Sequence, residues 1–386
     1  MIYFFIEGDF MTDIKYWIWF ALCSREKLRL ARKLFSAVGS VETIYNYTES
    51  DYINIGITDI EYLSKLCNKS MDASFREMFF AQQYGVEFIT IESEKYPEML
   101  RHIGDPPLLL YKRGEHYPVQ NKLCIGVIGT RHSKKGNDVA FNIARDLSLA
   151  GVSVVSGMAQ GIDTMAHNGV FAGGGHSIAV LGSGVNRPYP AENKKLMVSI
   201  MNHGCILSEY PFDTAPLGYH FPERNRILSG LCHGVIVVEA PARSGALSSA
   251  SHAADQGRDV FAFPGDENDP AFAGCRALIA DGAKKVGCVK DILEEYKSAY
   301  PQFFKTKTFK QSNAYFEIPD SPTYESPFSD IILGALKDGP KTAGEIAEIT
   351  HLPLPKLNGH ITLLELEGTI IRVPGTQAFM SGDDIL

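Results

Sequence analysis

KLCIGVIGT, residues 122–130, decides the fold. Its apolar run from Leu123 to Ile128 is unbroken and closes on Gly129. A strand with one wet face would alternate; a short continuous run reads as a strand covered on both faces. The same pattern returns downstream in VSVVSG (152–157), HSIAVLGSG (176–184), CILSEYP (205–211), GVIVVEA (234–240) and DVFAFPG (259–265). Between these runs the apolar residues space as in helices: NDVAFNIARDLSLAG, DTMAHNGVFAG, ENKKLMVSIMNHG, RNRILSGLCHG and ALSSASHAADQG. Strand and helix in strict alternation predict an α/β fold with a parallel sheet and helices on both faces.

Working outward, DASFREMFFAQQYG (72–85), VEFITI (86–91) and LLLYKRG (108–114) predict a helix and two strands leading into that sheet. Upstream, IKYWIWFALC, EKLRLARKLFSAVG, SVETIYNY and TDIEYLSKLCNK form a helical domain, with Gly39–Ser40 as a helix stop and restart. Residues 300–325 show no period and read as a linker. Beyond it, SDIILGALKDG, TAGEIAEITH and PLPKLNGHITLLELEG, then TIIRVPG and TQAFM, give the three-helix, β-pair order of a winged helix. The expected domains are 1–70, 71–299 and 326–386, with 1–10 an extension ahead of Met11, a second plausible start.

The chain of 386 residues has no 18-residue apolar run and no basic, cleavable leader, so neither a membrane span nor a signal peptide is expected. Seven scattered cysteines without a CxxC fit free thiols in a reducing cytoplasm, with no disulfide framework and no metal site. Net charge is −8, yet residues 122–290 carry 16 Lys and Arg against 14 Asp and Glu, and 7 of the 11 histidines. A local basic surface is therefore compatible with an acidic whole.

In parallel α/β sheets ligands gather beyond the carboxyl ends of the strands. Five successive loops there carry glycine with basic or hydroxyl groups. They are Gly129, Arg131, Ser133 and Lys134 in GTRHSKKG; Ser156, Gly157 and Gly161 in SGMAQGID; Arg187, Tyr189 and Lys194 in GSGVNRPYPAENKK; Arg224, Asn225 and Arg226 in HFPERNRILSG; and Arg243, Ser244 and Gly245 in EAPARSGALSS. Backbone N–H groups at helix starts attract anions, glycine admits them, and arginine adds paired hydrogen bonds. Each loop alone is explained by turn chemistry; five on one edge point to phosphate. Arg224 and Arg226, placed by the pattern at a helix start, would be unfavourable there without an anion.

GVIGTRHSKKG lacks the GxGxxG spacing, and no GxxxxGK[ST] occurs, so dinucleotide and Walker-type sites are excluded. Ser156, Asp163 and His167 make a triad only on paper: there is no GxSxG elbow, Asp163 reads as a helix cap, and His167 reads more readily as a capping or core histidine than as a ligand. A groove for a phosphodiester strand fits better, with Tyr189, Tyr210, Tyr219, His220 and Phe221 available for stacking on bases.

The ordered set GTR (129–131), SGMAQGIDTMAH (156–167), AVLGSGVNRPYPAEN (179–193), LSEYP (207–211), FPERNRILSGL (221–231), VVEAPARSGALSSASHAADQGRDVFAFPG (237–265) and ALIADGA (277–283) resembles the DprA/Smf family. The resemblance implies an extended Rossmann-like domain, an N-terminal SAM or helix-hairpin-helix-like domain and a C-terminal winged helix. It implies a single-stranded DNA-binding protein without enzymatic activity or cofactor, homodimeric, which protects strands and loads RecA recombinase in natural transformation or recombination. Arg131, the SGMAQGID turn, the groove around Asn186, Arg187 and Tyr189, the pair Arg224 and Arg226, and the Arg243–Gly245 loop would then contact the strand. The chain departs from the family pattern at Gln160, where lysine is common, and at Ser24–Lys27, where a Pro-Gly-x-Gly turn is usual. With 4 Lys and Arg against 8 Asp and Glu over 326–386, the winged helix is expected to bind protein or regulate rather than read DNA. Two rival readings remain at this level. One is a nucleotide sensor or a nucleoside monophosphate-processing enzyme with Glu239 or Glu223 as its carboxylate. The other is an interaction scaffold with a vestigial pocket.

Overall fold

The computed structural model describes residues 10–115, 122–301, 329–366, 369–373 and 376–381. Six helices come first: α1 (Phe10–Ser24), α2 (Leu28–Val38), α3 (Val41–Asn46), α4 (Glu49–Asn54), α5 (Ile60–Cys67) and α6 (Asp72–Tyr84). Gly39 ends α2 in the left-handed conformation, donating its N–H to the Phe35 carbonyl, and Ser40 accepts the Thr43 N–H to start α3. Trp17, Phe20, Leu34, Ile44, Tyr52, Tyr62 and Leu66 bury the apolar faces together, and Leu108 from the sheet side joins them. Each such side chain contributes about 1.5–3 kcal/mol on burial, which is what holds helices as short as six residues.

The chain continues through β1 (Val86–Thr90), α7 (Glu98–Arg101), β2 (Leu109–Arg113), β3 (Cys124–Ile128), α8 (Gly136–Leu149), β4 (Ser153–Ser156), α9 (Ile162–Ala172), β5 (Ser177–Val180), α10 (Lys194–His203), β6 (Gly204–Ser208), α11 (His220–Gly230), β7 (Gly234–Val237), α12 (Ala246–Asp255), β8 (Asp259–Ala262), α13 (Ala273–Ala280), β9 (Lys284–Lys285) and α14 (Val289–Tyr296). One nine-stranded sheet results, ordered β1-β2-β6-β5-β4-β3-β7-β8-β9. Strands β3 to β9 pair in parallel; β1 and β2 close one edge antiparallel. The opening stretch becomes β3, buried at every position. All eight expected strands form. The two-residue β9 and the short helices α4 and α7 carry too few residues for a period to register.

Two compact units divide at Ile292/Leu293, so the helical bundle and the sheet are one unit. In the second, α15 (Ser329–Leu336), β10 (Lys341–Thr342), α16 (Ala343–Thr350), α17 (Leu354–Leu366), β11 (Ile370–Arg372) and β12 (Ala378–Ser381) form a winged helix. Its sheet is ordered β10-β12-β11, with β10 an unforeseen third strand. Thr342 and Glu345 build a capping box on α16, and Ile332, Leu336, Ile346, Leu357, Ile361 and Phe379 fill the core. The expected linker lies, beyond residue 301, outside the described residues; of the expected extension only Phe10 is described, and it opens α1. Among the described residues no helix is long and apolar enough to cross a membrane, and no cluster suits a metal ion. All seven cysteines are free, four of them buried.

Candidate nucleic-acid interface

From β3 the chain winds to β4, β5 and β6 on one side; from β7 it winds to β8 and β9 on the other. The carboxyl ends of β3 and β7 therefore flank the switch point, where open α/β sheets hold their ligands. Here that position is already filled. Glu239, just after β7, is 2% exposed and turns its carboxylate into the first turn of α8. Its Oε2 accepts the Gly136 N–H at 2.6 Å, the Lys135 N–H at 3.3 Å and the Ser133 hydroxyl at 2.7 Å. The Glu239 carbonyl also accepts the Thr130 N–H at 2.8 Å. Ser133 is thus bound to the protein's own carboxylate.

The next loop is closed in the same manner. Asp163 does not cap its own helix; its Oδ2 reaches back to the N–H groups of Gly157 at 3.2 Å and Ala159 at 3.3 Å. Burial raises its pKa, and the Arg224 guanidinium opposes that rise. Gly157 accommodates both groups, since a Cβ there would lie 2.5 Å from the Arg224 Nη2 and 2.7 Å from the Asp163 Oδ2. The Ser156 hydroxyl donates to the Val127 carbonyl at 2.7 Å and is buried. Asn193, which sequence reasoning passed over, donates to the Met158 carbonyl and to Thr164 Oγ1, both at 2.9 Å. His167 is a core histidine: its Nδ1 lies 2.6 Å from the Ser177 hydroxyl, and burial, then Arg224, pushes its pKa down to about 3.

Two expectations about HFPERNRILSG change. The helix starts at His220 rather than Arg224, with Pro222 tolerated in its first turn, so both arginines sit in later turns. Arg224 is 4% exposed and donates to the carbonyls of Gly157 and Val180 and to Asn225 Oδ1. It ties the ends of β4 and β5 to α11. Asn225 is buried and donates to Ser248 Oγ at 2.8 Å. Arg226 pairs with the nearly buried Glu209. Tyr210 and His220 are buried as well; Arg25 of the helical bundle stacks on the Tyr210 ring at 3.9 Å and approaches His220 Nε2 at 3.2 Å. Nothing in the local pattern marked Arg25, which meets His220 across 195 positions.

What remains outward forms the rim. The Arg131 guanidinium lies 4.7 Å from the centre of the Phe221 ring, and the Tyr189 ring lies 5.2 Å from the same ring. Three loops thereby present one cation–aromatic–aromatic surface, after β3, after β5 and at the start of α11. Tyr189 is 37% exposed, Tyr219 61%. Arg131, Lys134, Arg187, Lys194 and Arg243 are all exposed. Among the described residues the side chains of Lys134, Lys194 and Arg243 have no hydrogen-bond or ion-pair partner, whereas Arg187 faces Asp213 at 3.5 Å. Ser244 Oγ accepts the Ala246 N–H at 3.3 Å beside the exposed Gly245. Gly129 packs against Ile162, and Gly161 precedes α9 in contact with the Thr130 carbonyl.

A family model described as DNA recombination-mediator protein A matches residues 87–297, and one described as a DprA winged helix domain matches 319–376. Protein Smf of Escherichia coli is 36% identical over 309 residues, 80% of each chain. The DNA processing protein DprA of Bacillus subtilis is 39% identical over 223 residues, 58% of this chain and 75% of its own. The X-ray structure of DprA from Streptococcus pneumoniae superposes with a TM-score of 0.65 at 34% identity, covering 73% of this chain and 97% of that one. DprA of Helicobacter pylori, solved to describe its single-stranded DNA binding mode, gives 0.50 at 28% identity over 55% and 97%. With more than half its length matched by the recombination-mediator model and its second unit by the winged-helix model, the chain belongs to the DprA/Smf family of DNA-processing proteins.

Proposed function

We propose that this chain binds single-stranded DNA along the exposed rim of the parallel sheet, shields the strand and passes it to RecA recombinase. The observation that carries this reading is the Arg131–Phe221–Tyr189 surface beside a switch-point pocket filled by Glu239. Aromatic faces stack on any base, and flanking cations neutralise phosphates; together they suit a strand of mixed sequence. Arg131, Lys134, Arg187, Lys194 and Arg243 make the backbone contacts, with the Arg243–Gly245 loop at one end of the path. Ser133, Ser156, Gly157, Arg224, Asn225 and Arg226 act from beneath, holding the loops that carry those contacts. This division revises the sequence-level expectation that Arg224 and Arg226 grip the strand.

The protein works by binding rather than catalysis. Ser156 and His167, the nucleophile and base of a paper triad, are each buried and hydrogen-bonded to other partners. The mononucleotide reading is weakened by the carboxylate already seated where a nucleotide phosphate would lie. By family resemblance the chain acts in the cytoplasm as a homodimer, in transformation or general recombination. Its acidic winged helix serves protein contact or regulation.

The test is a titration of a labelled oligonucleotide of about 20–40 nucleotides at several salt concentrations. Wild type should bind the single strand in preference to duplex and to mononucleotides. Arg131→Ala and Arg187→Ala should each flatten the log affinity against log salt line by about 0.7. A chain that ignores single strands but takes up mononucleotides would replace this reading with the sensor one.

A further inference from the structure

We propose that Glu239 is a built-in anion: it closes the switch-point pocket to nucleotide phosphates and holds the Arg131–Lys134 loop in the shape that meets the strand. The second half rests on the strand-binding reading above; the first stands without it.

The first turn of a helix offers unpaired N–H groups and a partial positive charge, which together draw phosphate. At α8 the first of those donors, the Gly136 N–H, is taken internally, together with the Lys135 N–H just before it. One Glu239 oxygen collects two N–H groups and the Ser133 hydroxyl. Ser133 Oγ in turn accepts the Gly136 N–H at 3.1 Å, closing a ring of three residues. No cation pairs with Glu239 among the described residues, so these donors and the α8 dipole are its compensation. The seat is tight. A Cβ on Gly136 would lie 2.8 Å from both the Glu239 Cβ and its Oε2. A phosphate entering here would meet a buried negative charge and find the Gly136 and Lys135 N–H groups already engaged. The loop that Glu239 fastens runs from Thr130 to Gly136, and it carries Arg131 and Lys134 outward. Because the residue is buried and its Oε2 is taken up by the loop's own donors, Glu239 is a positioning residue and touches no nucleotide.

The full chain is compared as wild type, Glu239→Gln, Glu239→Ala and Gly136→Ala, each checked for folding by circular dichroism. A glutamine carbonyl still accepts the two N–H groups, so Glu239→Gln should bind single-stranded DNA within about twofold of wild type, with an unchanged salt slope. Glu239→Ala should bind about tenfold more weakly. Its slope should flatten by up to about 1.4, the share of two phosphate contacts at about 0.7 each. With the nest vacated, Glu239→Ala should also gain about 2 °C in melting temperature from millimolar inorganic phosphate over matched chloride, which wild type should not show. Gly136→Ala, crowding the carboxylate from the other side, should weaken DNA binding too; it keeps the proposal testable if Glu239→Ala fails to fold. Wild-type affinity and slope in Glu239→Ala or Gly136→Ala would overturn the positioning role. So would a Glu239→Gln as damaged as Glu239→Ala. Absence of a phosphate-specific shift in folded Glu239→Ala would overturn the built-in anion. Failure of wild type to bind any single strand would instead remove the strand reading, and the phosphate arm would still decide what Glu239 does.

Discussion

Arg131 and Arg224 both lie near the Phe221 ring, at 4.7 and 5.9 Å from its centre, yet one faces solvent and the other is sealed in protein. The difference divides the sheet's carboxyl edge into a rim and a wall. On the rim, cations and rings have few internal partners and keep their capacity for a ligand. In the wall, arginine, serine and carboxylate satisfy one another and the ends of β4 and β5. Losing a rim residue should cost affinity; losing a wall residue should cost stability first.

The largest effect is expected in the wall. Arg224→Ala strands the Gly157 and Val180 carbonyls and leaves Asp163 buried without its cation. Breaking such an arrangement costs about 3–5 kcal/mol, readable in urea unfolding. The pH dependence has a definite sign. Burial raises the Asp163 pKa above its unfolded value, more so once Arg224 is gone. A group of that kind favours the fold at low pH, and the benefit fades as pH rises through its folded pKa. The Arg224→Ala penalty should therefore be smaller at pH 5 than at pH 8; an equal penalty would separate Asp163 from Arg224.

His167 comes next. Burial first, and Arg224 second, hold its pKa down to about 3, below the ordinary 6.5. Stability is then full above pH 6.5 and is lost as pH falls toward 3. Between pH 7 and pH 5 this one group accounts for about 2 kcal/mol. His167→Gln should flatten the stability profile by that amount while leaving DNA affinity at neutral pH unchanged.

Rim variants should show the reverse. Tyr189→Ala should weaken single-strand binding by about 1–2 kcal/mol, roughly tenfold, with unfolding shifted by less than about 0.5 kcal/mol. Lys194→Ala should do least: a salt slope shallower by about 0.7 and no measurable change in melting. A rim variant that unfolds the protein, or one that leaves single-strand binding intact, would erase the distinction.

Much of the fold was legible because a doubly covered strand must be apolar throughout, as the run from Leu123 to Ile128 is, and because Gly85, Gly39 and Ser40 mark helix ends by backbone chemistry. The five loops of the candidate site were legible for the same reason: strand ends fix where loops fall. Which of their residues are exposed and which are buried was not. Arg224 and Arg131 are chemically alike, and what buries Arg224 is a carbonyl 44 positions away in β5. Glu239 and Ser133 meet across 106 positions, so the filled nest has no local signature. The helix start at His220 was missed because Pro222 and the charged Glu223, Arg224 and Arg226 interrupt the apolar period of its first turns. Lys341–Thr342 and Lys284–Lys285 are strands of two residues, recognisable only from the partners they pair with.

The rim itself is tested most directly by photocrosslinking. A single strand carrying 5-iodouracil would be bound to the wild-type protein, irradiated and mapped by mass spectrometry. Crosslinks to Tyr189, Phe221 or Tyr219 are expected, lost when unlabelled single strand competes. Crosslinks confined to the winged helix or to the α1–α5 bundle, with those three rings untouched, would contradict it.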